Sequence, residues 1–253
     1  ILMRLRYLCS CLLLAALLIF YCTGSDFTPA EFTYLPASRV TPTGSVPKRS
    51  DGTTIRYTPN YPLHFIGDSR TVGMQQSLPS DTPNLSYASF TAKVGQGYSW
   101  FSGRSDLTSS APRILLLNLG VNDLTNVSAY QALYETYANT CWKDCPIYII
   151  SVNPCCAPCT SVTNTRIEAF NTSMETWVEA YNTSLPDTEN APASARALPI
   201  HYIDTYHFLL ETGFSSSDGL HYNAATYQKL YDFILDQIEE PIGDGSGIYT
   251  VSS

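Results

Sequence analysis

Positive charge is scarce in this 253-residue chain, in which 14 Lys and Arg stand against 22 Asp and Glu for a formal net charge of −8. Proteins that bind nucleic acid through its phosphates need a positive surface, so this balance argues against a nucleic-acid partner. Charged residues of both signs make up only 14% of the chain, and apolar residues make up 44%. This composition excludes a highly charged disordered chain and a coiled coil. The sequence shows no internal repeat, and its length suits one α/β domain with extensions.

A long apolar run occurs near the N-terminal end. Arg4 and Arg6 precede an apolar stretch from Tyr7 to Tyr21, and small residues follow it. A charged segment before an apolar one is typical of a secretory signal peptide, and the run is shorter than the roughly 20 residues that a spanning helix needs. We therefore predict a signal peptide over residues 1–24, with an uncleaved membrane anchor as the alternative. In both cases the domain is expected outside the cytoplasm, secreted or tethered to the membrane.

Composition divides the rest of the chain into three parts. Residues 25–60 carry frequent Pro, Thr and Ser without a sustained period, which is typical of a linker or a loosely packed arm. Residues 61–240 contain the regular apolar patterns and are expected to form the folded domain. The Gly- and Ser-rich residues 241–253 are expected to form a flexible tail.

Five cysteines lie beyond the N-terminal segment, in two groups that flank the apolar run "PIYIISVN". The groups are Cys141 with Cys145, and Cys155 with Cys156 and Cys159. A strand of that length spans roughly 23 Å, so the groups are expected at opposite ends of it, which argues against a shared zinc site. For an exported chain we expect local disulfides instead, one joining Cys141 to Cys145 and one within the second group, with one thiol left free.

Apolar, β-rich runs alternate with helical patterns through the middle of the chain. The runs cover residues 62–67, 86–94, 113–120, 146–153 and 199–204, and the helical patterns cover 69–78, 127–142, 163–183, 205–212 and 223–240. Alternating strands and helices indicate parallel strands joined by right-handed crossovers. Several runs are almost wholly apolar, as strands covered on both faces should be. The sequence therefore predicts an α/β fold, a three-layer α/β/α sandwich with about five parallel strands.

Polar and glycine residues follow these strands in a pattern that predicts one shared site. In such a sheet the ligand crevice lies beyond the carboxyl ends of the strands. The residues expected there are Asp68 and Ser69 after the first strand, Gly95 and Gly97 after the second, Asn122 and Asp123 after the third, and Asp218 and His221 near the last helix. Together they supply a hydroxyl, backbone donors, a carboxamide and an Asp-x-x-His pair.

The same blocks resemble those of the SGNH (GDSL-type) serine hydrolase superfamily. The resemblance lies in "GDS" at Gly67–Ser69, the glycine of the second block, "GVND" at Gly120–Asp123 and "DGLH" at Asp218–His221. It covers about residues 60–240 and implies a flavodoxin-like sandwich and serine ester hydrolysis. By matching motif, it implies Ser69 as nucleophile, His221 as base and Asp218 as its partner. The implied oxyanion donors are the N–H groups of Ser69 and Gly97 and the side chain of Asn122.

The residue types suit these roles on chemical grounds. A serine hydroxyl needs a neighbouring base to become a good nucleophile, and histidine is the usual base at neutral pH. An aspartate on the other ring nitrogen fixes the tautomer and stabilises the imidazolium. Glycine lets a backbone N–H approach the substrate closely, and asparagine donates without bringing charge. No metal or other cofactor is required.

Simpler readings remain for several of these residues. Asp68 and Ser69 are favoured helix N-caps, and Asn122–Asp123 and Asp218–Gly219 are also typical of turns. The three histidines outside the motifs, His64, His201 and His207, are expected to be structural. Arg70, Tyr98 and Trp100 are candidates for substrate contacts, with a surface salt bridge or loop packing as the alternative.

The resulting hypothesis is an exported serine esterase that hydrolyses O-acyl esters, acetyl above all, on carbohydrate through an acyl-enzyme. The same acyl-enzyme also suits an O-acyltransferase acting on a cell-surface polysaccharide. A third hypothesis is a tethered binding module without catalysis, which would not need the nucleophile, base and donor set present here.

Overall fold

The computed structural model describes residues 54–58, 60–186, 197–245 and 248–252. The strands are β1 (Thr54–Thr58), β2 (Leu63–Gly67), β3 (Ala88–Ala92), β4 (Ile114–Asn118), β5 (Ile147–Ile150), β6 (Ile200–Ile203) and β7 (Ile248–Ser252). The helices are α1 (Ser69–Ser77), α2 (Tyr98–Ser102), α3 (Val127–Ala138), α4 (Asn164–Ser184), α5 (Thr205–Thr212) and α6 (Ala224–Asp236), with short 3₁₀ turns at Leu85–Tyr87, Ser105–Thr108 and Leu124–Asn126.

Five parallel strands form the central sheet, in the order β3-β2-β4-β5-β6. Counted along the chain within this sheet, the order is 2-1-3-4-5, which is the flavodoxin-like arrangement. The register pairs Leu63 of β2 with Ala88 of β3 on one side and with Ile114 of β4 on the other. The predicted α/β class, the parallel strands and the five predicted strand positions are confirmed.

Helices cover both faces of the sheet, as the four buried apolar residues of β4, Ile114–Leu117, require. Ile114 and Leu116 pack with α1 and α6 in one core. Leu115 and Leu117 face the other way and pack with α3 and α4 in a second core. Because side chains alternate along a strand, an unbroken run of apolar residues fills both cores at once. The predicted three layers follow directly from this alternation.

Strands β1 and β7 form a separate two-stranded antiparallel ribbon, with Thr54 opposite Ser252. These strands lie in the segments expected to be a loose arm and a flexible tail. The predicted signal peptide or anchor and most of the arm fall outside the described residues. Within the part that is described, no helix is long and apolar enough to span a membrane. The domain boundaries stay a prediction.

Candidate active site

The nucleophile candidate, Ser69, lies at the first position of α1, two residues after the end of β2. Asp68 is the N-cap of that helix, and its Oδ1 accepts a hydrogen bond of 2.9 Å from the backbone N–H of Arg70. Capping is therefore done by Asp68, and the hydroxyl of Ser69 is left to face His221. A side chain at Gly67 would overlap Thr71, since an added Cβ would lie 1.9 Å from Thr71 Oγ1. Glycine there lets the chain turn sharply from strand to helix.

Ser69, His221 and Asp218 form one hydrogen-bonded line. Ser69 Oγ and His221 Nε2 are 2.8 Å apart, and His221 Nδ1 lies 2.7 Å from Asp218 Oδ2. When Nδ1 donates to the carboxylate, Nε2 of the neutral ring accepts from the serine hydroxyl. The serine is largely buried, at 7% exposure, while the histidine and aspartate side chains are more open to solvent. This is the arrangement in which a histidine can remove a proton from serine.

A tight turn holds His221 and Asp218 together. Asp218 Oδ1 accepts from the backbone N–H groups of Leu220, at 2.8 Å, and His221, at 2.7 Å. Gly219 has φ +79°, and a Cβ there would lie 2.0 Å from the carbonyl oxygen of Cys156, so both conformation and packing favour glycine. Burial raises the pKa of Asp218, but the hydrogen bonds from His221 and Leu220 together lower it more. The pKa of this carboxyl group is therefore well below the ordinary value of an aspartate, and the group is ionised at neutral pH.

The loops that carry the oxyanion candidates lie next to each other. Asn122 Nδ2 donates a 2.7 Å hydrogen bond to the carbonyl oxygen of Gln96, the residue before Gly97. Because β3 and β4 flank β2 in the sheet, the loops after them stand on either side of Ser69. Ser69 N–H belongs to the first turn of α1, where backbone donors have no partner within the helix. The structure thus brings these three candidates to one edge of the sheet.

Asp123 joins these loops, a role that the sequence analysis missed. Its Oδ2 accepts from Tyr98 N–H at 2.7 Å and from Asn126 Nδ2 at 3.0 Å, and its Oδ1 accepts from the Tyr130 hydroxyl at 2.9 Å. An added Cβ on Gly97 would lie 2.5 Å from Asp123 Oδ2, so glycine is required by this close approach. The only signal in the sequence was the last letter of the "GVND" block, which equally fits a simple turn.

Arg70, a candidate for substrate contacts, has its side chain committed to the protein backbone in this structure, and a contact with substrate stays a prediction. The side chain is buried, at 2% exposure. Its guanidinium donates to three backbone carbonyl oxygens, those of Leu220 at 3.1 Å, Asn153 at 2.6 Å and Pro154 at 3.2 Å. The group therefore fastens the loop that carries His221 to the loop that follows β5.

Tyr98 and Trp100, the other candidates for substrate contacts, are half-buried and pack against the core on the α3–α4 side. The Tyr98 ring stands edge-on to Tyr130 at 5.4 Å, and the Arg104 guanidinium lies 5.2 Å from the centre of the Trp100 ring. Through these contacts both rings contribute to the packing of the loop. A contact of either ring with substrate stays a prediction.

The three remaining histidines have ordinary partners. His64 Nε2 lies 2.8 Å from Thr91 Oγ1, and burial lowers the pKa of His64 to about 3. His201 stacks on Tyr148 with ring centres 4.5 Å apart. His207 Nδ1 lies 2.6 Å from Asp204 Oδ2 at the start of α5, a pairing that raises the pKa of His207.

The disulfide prediction is wrong for this structure, in which all five described cysteines are free. Cys145 and Cys155 are buried, and burial raises the pKa of both thiols. The second group packs against the turn from Asp218 to His221, where Cys156 N–H donates to the Gly219 carbonyl oxygen at 2.9 Å. The spacing of the cysteines and the expected export of the chain favoured disulfide bonds, but neither observation indicates how the cysteine side chains are oriented.

Among the described residues, no group of three or more His, Cys, Asp or Glu side chains is placed to hold a metal ion.

A polar cleft of about 240 Å³ opens beyond the carboxyl end of β6. It is lined by carboxylates, an amide, hydroxyls and a histidine, from Glu168, Asn171, Thr172, Glu175, Tyr202, Asp204, Tyr206 and His207. β6 is three strands from β2 in the sheet, which corresponds to roughly 14 Å between these two strands at the usual spacing.

Comparison with known proteins gives a family match and fold neighbours. A family model described as GDSL-like Lipase/Acylhydrolase matches residues 63–234. A candidate platelet activating factor from Streptococcus pneumoniae is 16% identical, with 70% of this chain and 83% of that chain covered and a TM-score of 0.52. A member of the lipolytic protein G-D-S-L family from Veillonella parvula is 15% identical, with 70% and 97% covered and a TM-score of 0.50. At these identities the two structures report on the fold alone. No curated protein matches the chain.

Proposed function

Because the chain belongs to the GDSL-like lipase/acylhydrolase family and is an SGNH-type carboxylic ester hydrolase, we propose that Ser69 is its nucleophile, His221 its general base and Asp218 the carboxylate that orients the base. The observation that carries this proposal is the hydrogen-bonded line from Ser69 Oγ through the His221 ring to Asp218. A binding module without catalysis has no need of this line.

The reaction then runs in two balanced halves. Ser69 Oγ attacks the ester carbonyl carbon while His221 Nε2 takes the hydroxyl proton, and the imidazolium returns this proton to the departing alcohol. Water next attacks the acyl-enzyme, His221 takes a proton from that water, and the acid leaves as Ser69 regains its hydrogen. Asp218 stays ionised throughout, in keeping with its low pKa.

The oxyanion formed in each half needs donors that are already in place. We assign this role to the backbone N–H groups of Ser69 and Gly97 and to the amide of Asn122. Each such donor contributes about 3–4 kcal/mol to lowering the barrier. The hydrogen bond from Asn122 to Gln96 and the three bonds to Asp123 support this assignment, because they hold the two donor loops in fixed positions.

For the substrate we propose an O-acylated, most simply O-acetylated, carbohydrate met outside the cytoplasm. The signal-like N-terminal segment supports an extracytoplasmic location, and the polar cleft beyond β6 supports a hydroxyl-rich alcohol. Carboxylates and amides form hydrogen bonds with hydroxyl groups, and tyrosine rings offer apolar faces for a sugar ring. A substrate long enough to occupy both places would span the roughly 14 Å between β2 and β6.

The test of the reaction is hydrolysis of p-nitrophenyl acetate by the wild type, Ser69→Ala and Asp218→Asn. We expect Ser69→Ala to lose turnover almost completely, and Asp218→Asn to lower kcat by about 10³–10⁴-fold because the histidine adopts the wrong tautomer. A fluorophosphonate probe should label the wild type and leave Ser69→Ala unlabelled. Equal rates in the wild type and Ser69→Ala would refute the proposed nucleophile.

The substrate class is tested separately, by measuring acetate released from acetylated xylan, acetylated peptidoglycan and short lipid esters. The proposal expects release from a polysaccharide to exceed release from the lipid esters. Adding an unacetylated sugar acceptor and analysing the products distinguishes hydrolysis from acyl transfer. Preferential cleavage of lipid esters would refute the carbohydrate assignment and leave the serine mechanism standing.

A further inference from the structure

Three buried polar atoms behind the nucleophile have no hydrogen-bond partner within the described part of the chain. They are Thr71 Oγ1, Asn153 Oδ1 and Tyr227 Oη, and each of these residues is at most 3% exposed. Burial raises the pKa of Tyr227, and the nearby N–H of Tyr222 offsets this rise only in part. That N–H does not meet hydrogen-bond geometry with the Tyr227 hydroxyl group. Buried polar groups in native proteins are nearly always satisfied, so three in one place call for an explanation.

All three residues line the same small cavity. Its volume is about 10 Å³, and its other walls come from Arg70, Met74, Asn118, Leu230 and Ile234. A cavity of this size accommodates about one water molecule, provided that two to four polar partners surround it. The amide oxygen of Asn153 accepts only, whereas the two hydroxyl groups can donate or accept. One water can therefore donate to Asn153 and complete its hydrogen bonds with Thr71 and Tyr227.

The cavity joins three elements that carry the candidate site. Thr71 lies in α1, two residues after Ser69, and Asn153 lies in the loop after β5 that Arg70 also binds. Tyr227 lies in the first turn of α6, shortly after His221. Gly73 packs directly against this tyrosine, since an added Cβ would lie 2.7 Å from its hydroxyl oxygen. A molecule held here would connect the helix that bears the nucleophile to the helix that follows the base.

We propose that this cavity is an internal water-binding site formed by Thr71, Asn153 and Tyr227, and that the bound water positions α1 relative to α6. Thr71, Asn153 and Tyr227 are positioning residues, since their effect on the reaction is transmitted through the placement of Ser69 and His221. The water site itself does not depend on the reaction, whereas its effect on turnover rests on the proposed function.

The first test is direct observation of the water. A crystal structure of the wild type at about 1.5 Å should show one ordered water within hydrogen-bond distance of Thr71 Oγ1, Asn153 Oδ1 and Tyr227 Oη. A cavity without density, or side chains that bond one another directly, would overturn the proposal. This result stands whether or not the chain hydrolyses esters, so a chain without esterase activity would refute the proposed function alone.

The second test separates positioning from a loss of packing. Thr71→Val keeps the shape of the side chain and removes its hydroxyl group, whereas Thr71→Ser keeps the hydroxyl group. We expect Thr71→Val to lower kcat about tenfold with KM unchanged, and Thr71→Ser to retain wild-type kcat. Equal kcat in the two variants would overturn the positioning role.

The matched control is Tyr181→Phe, which removes another buried and unpartnered hydroxyl group that lies in the opposite core. Tyr227→Phe should lower kcat as Thr71→Val does, and Tyr181→Phe should leave it unchanged. A similar loss in both tyrosine variants would show that removal of any buried hydroxyl group has this effect, and would overturn the assignment to this cavity.

Discussion

The side chain of Arg70 shows how a single residue can connect remote backbone segments around the candidate site. It binds carbonyl oxygens that are 83, 84 and 150 residues away along the chain, and its guanidinium lies 5.4 Å from the centre of the Tyr222 ring. The planar fork of arginine can reach three acceptors at once, which a lysine ammonium on a flexible stem cannot match in the same geometry. The loop with His221 is thereby fixed relative to α1.

We predict that Arg70→Lys lowers the free energy of unfolding by about 2–4 kcal/mol, because buried carbonyl oxygens lose their donors. Urea denaturation measures this loss. Arg166→Lys, at an exposed position of α4, is the matched control and should change stability by less than about 0.5 kcal/mol. If Arg70→Lys instead raised KM for anionic esters and left stability unchanged, the side chain would bind substrate after all.

Asp68 contributes a pH dependence of stability because its carboxyl group is buried. Burial raises the pKa of Asp68 to about 6, although its bond to the Arg70 N–H and the Arg70 charge lower it in part. In the unfolded chain the ordinary pKa is about 3.9. Between these two values the folded state holds more protons than the unfolded state, so the contribution of Asp68 to stability decreases as pH rises through that window.

Asp68→Asn should remove this dependence and keep the helix cap, since asparagine is an equally good N-cap. We expect the stability of the variant, relative to the wild type, to increase by on the order of 3 kcal/mol from pH 4 to pH 7. Urea denaturation across this pH range measures the difference, with Asp81→Asn at an exposed position as control. Parallel curves for wild type and Asp68→Asn would contradict the raised pKa.

At the scale of elements, the sequence predicted the regular parts and missed the short ones. Long patterns such as the helix that became α4, Asn164–Ser184, are recognisable because many residues share one period. Helix α2 has only five residues, too few for any period, and lies between glycines. The ribbon of β1 and β7 depends on pairing between segments at opposite ends of the domain, which neither segment indicates alone.

Gly97 connects the short helix α2 to the site, and Gly97→Ala tests this connection. Because the new Cβ would overlap Asp123, we expect the loop to shift and kcat/KM for p-nitrophenyl acetate to fall by roughly 10–100-fold. Gly103→Ala at the other end of α2 is the matched control, since its Cβ would meet the nearest atom at 3.4 Å. Equal activity in the two variants would show that the approach of Asp123 is not needed.

At the scale of the whole molecule, the sequence was sufficient for the fold and for the residues of the line from Ser69 to Asp218. Both follow from local patterns, namely the alternation of strands with helices and the motifs at strand ends. The inward orientation of Arg70, the bridging by Asp123 and the free thiols depend on where remote backbone segments meet. No local pattern reports such contacts.

The separation of the ribbon from the main sheet gives a prediction about the whole chain. A chain shortened to end at Gly245 lacks β7 but keeps the five-stranded sheet and both cores. An isolated two-stranded ribbon is marginally stable at best, so we expect kcat/KM to be unchanged and the free energy of unfolding to change by less than about 1 kcal/mol. Urea denaturation and the ester assay measure both. Loss of folded protein would show that the domain extends to the C-terminal strand.

The turn from Asp218 to His221 has one more consequence. The carboxylate and the imidazole are bound to each other and to the backbone between them, so thermal motion of this turn carries the pair as one body. Motion of this turn relative to α1 therefore acts on the distance from His221 Nε2 to Ser69 Oγ, which is 2.8 Å in this structure. We expect turnover by the proposed nucleophile to depend on that one distance.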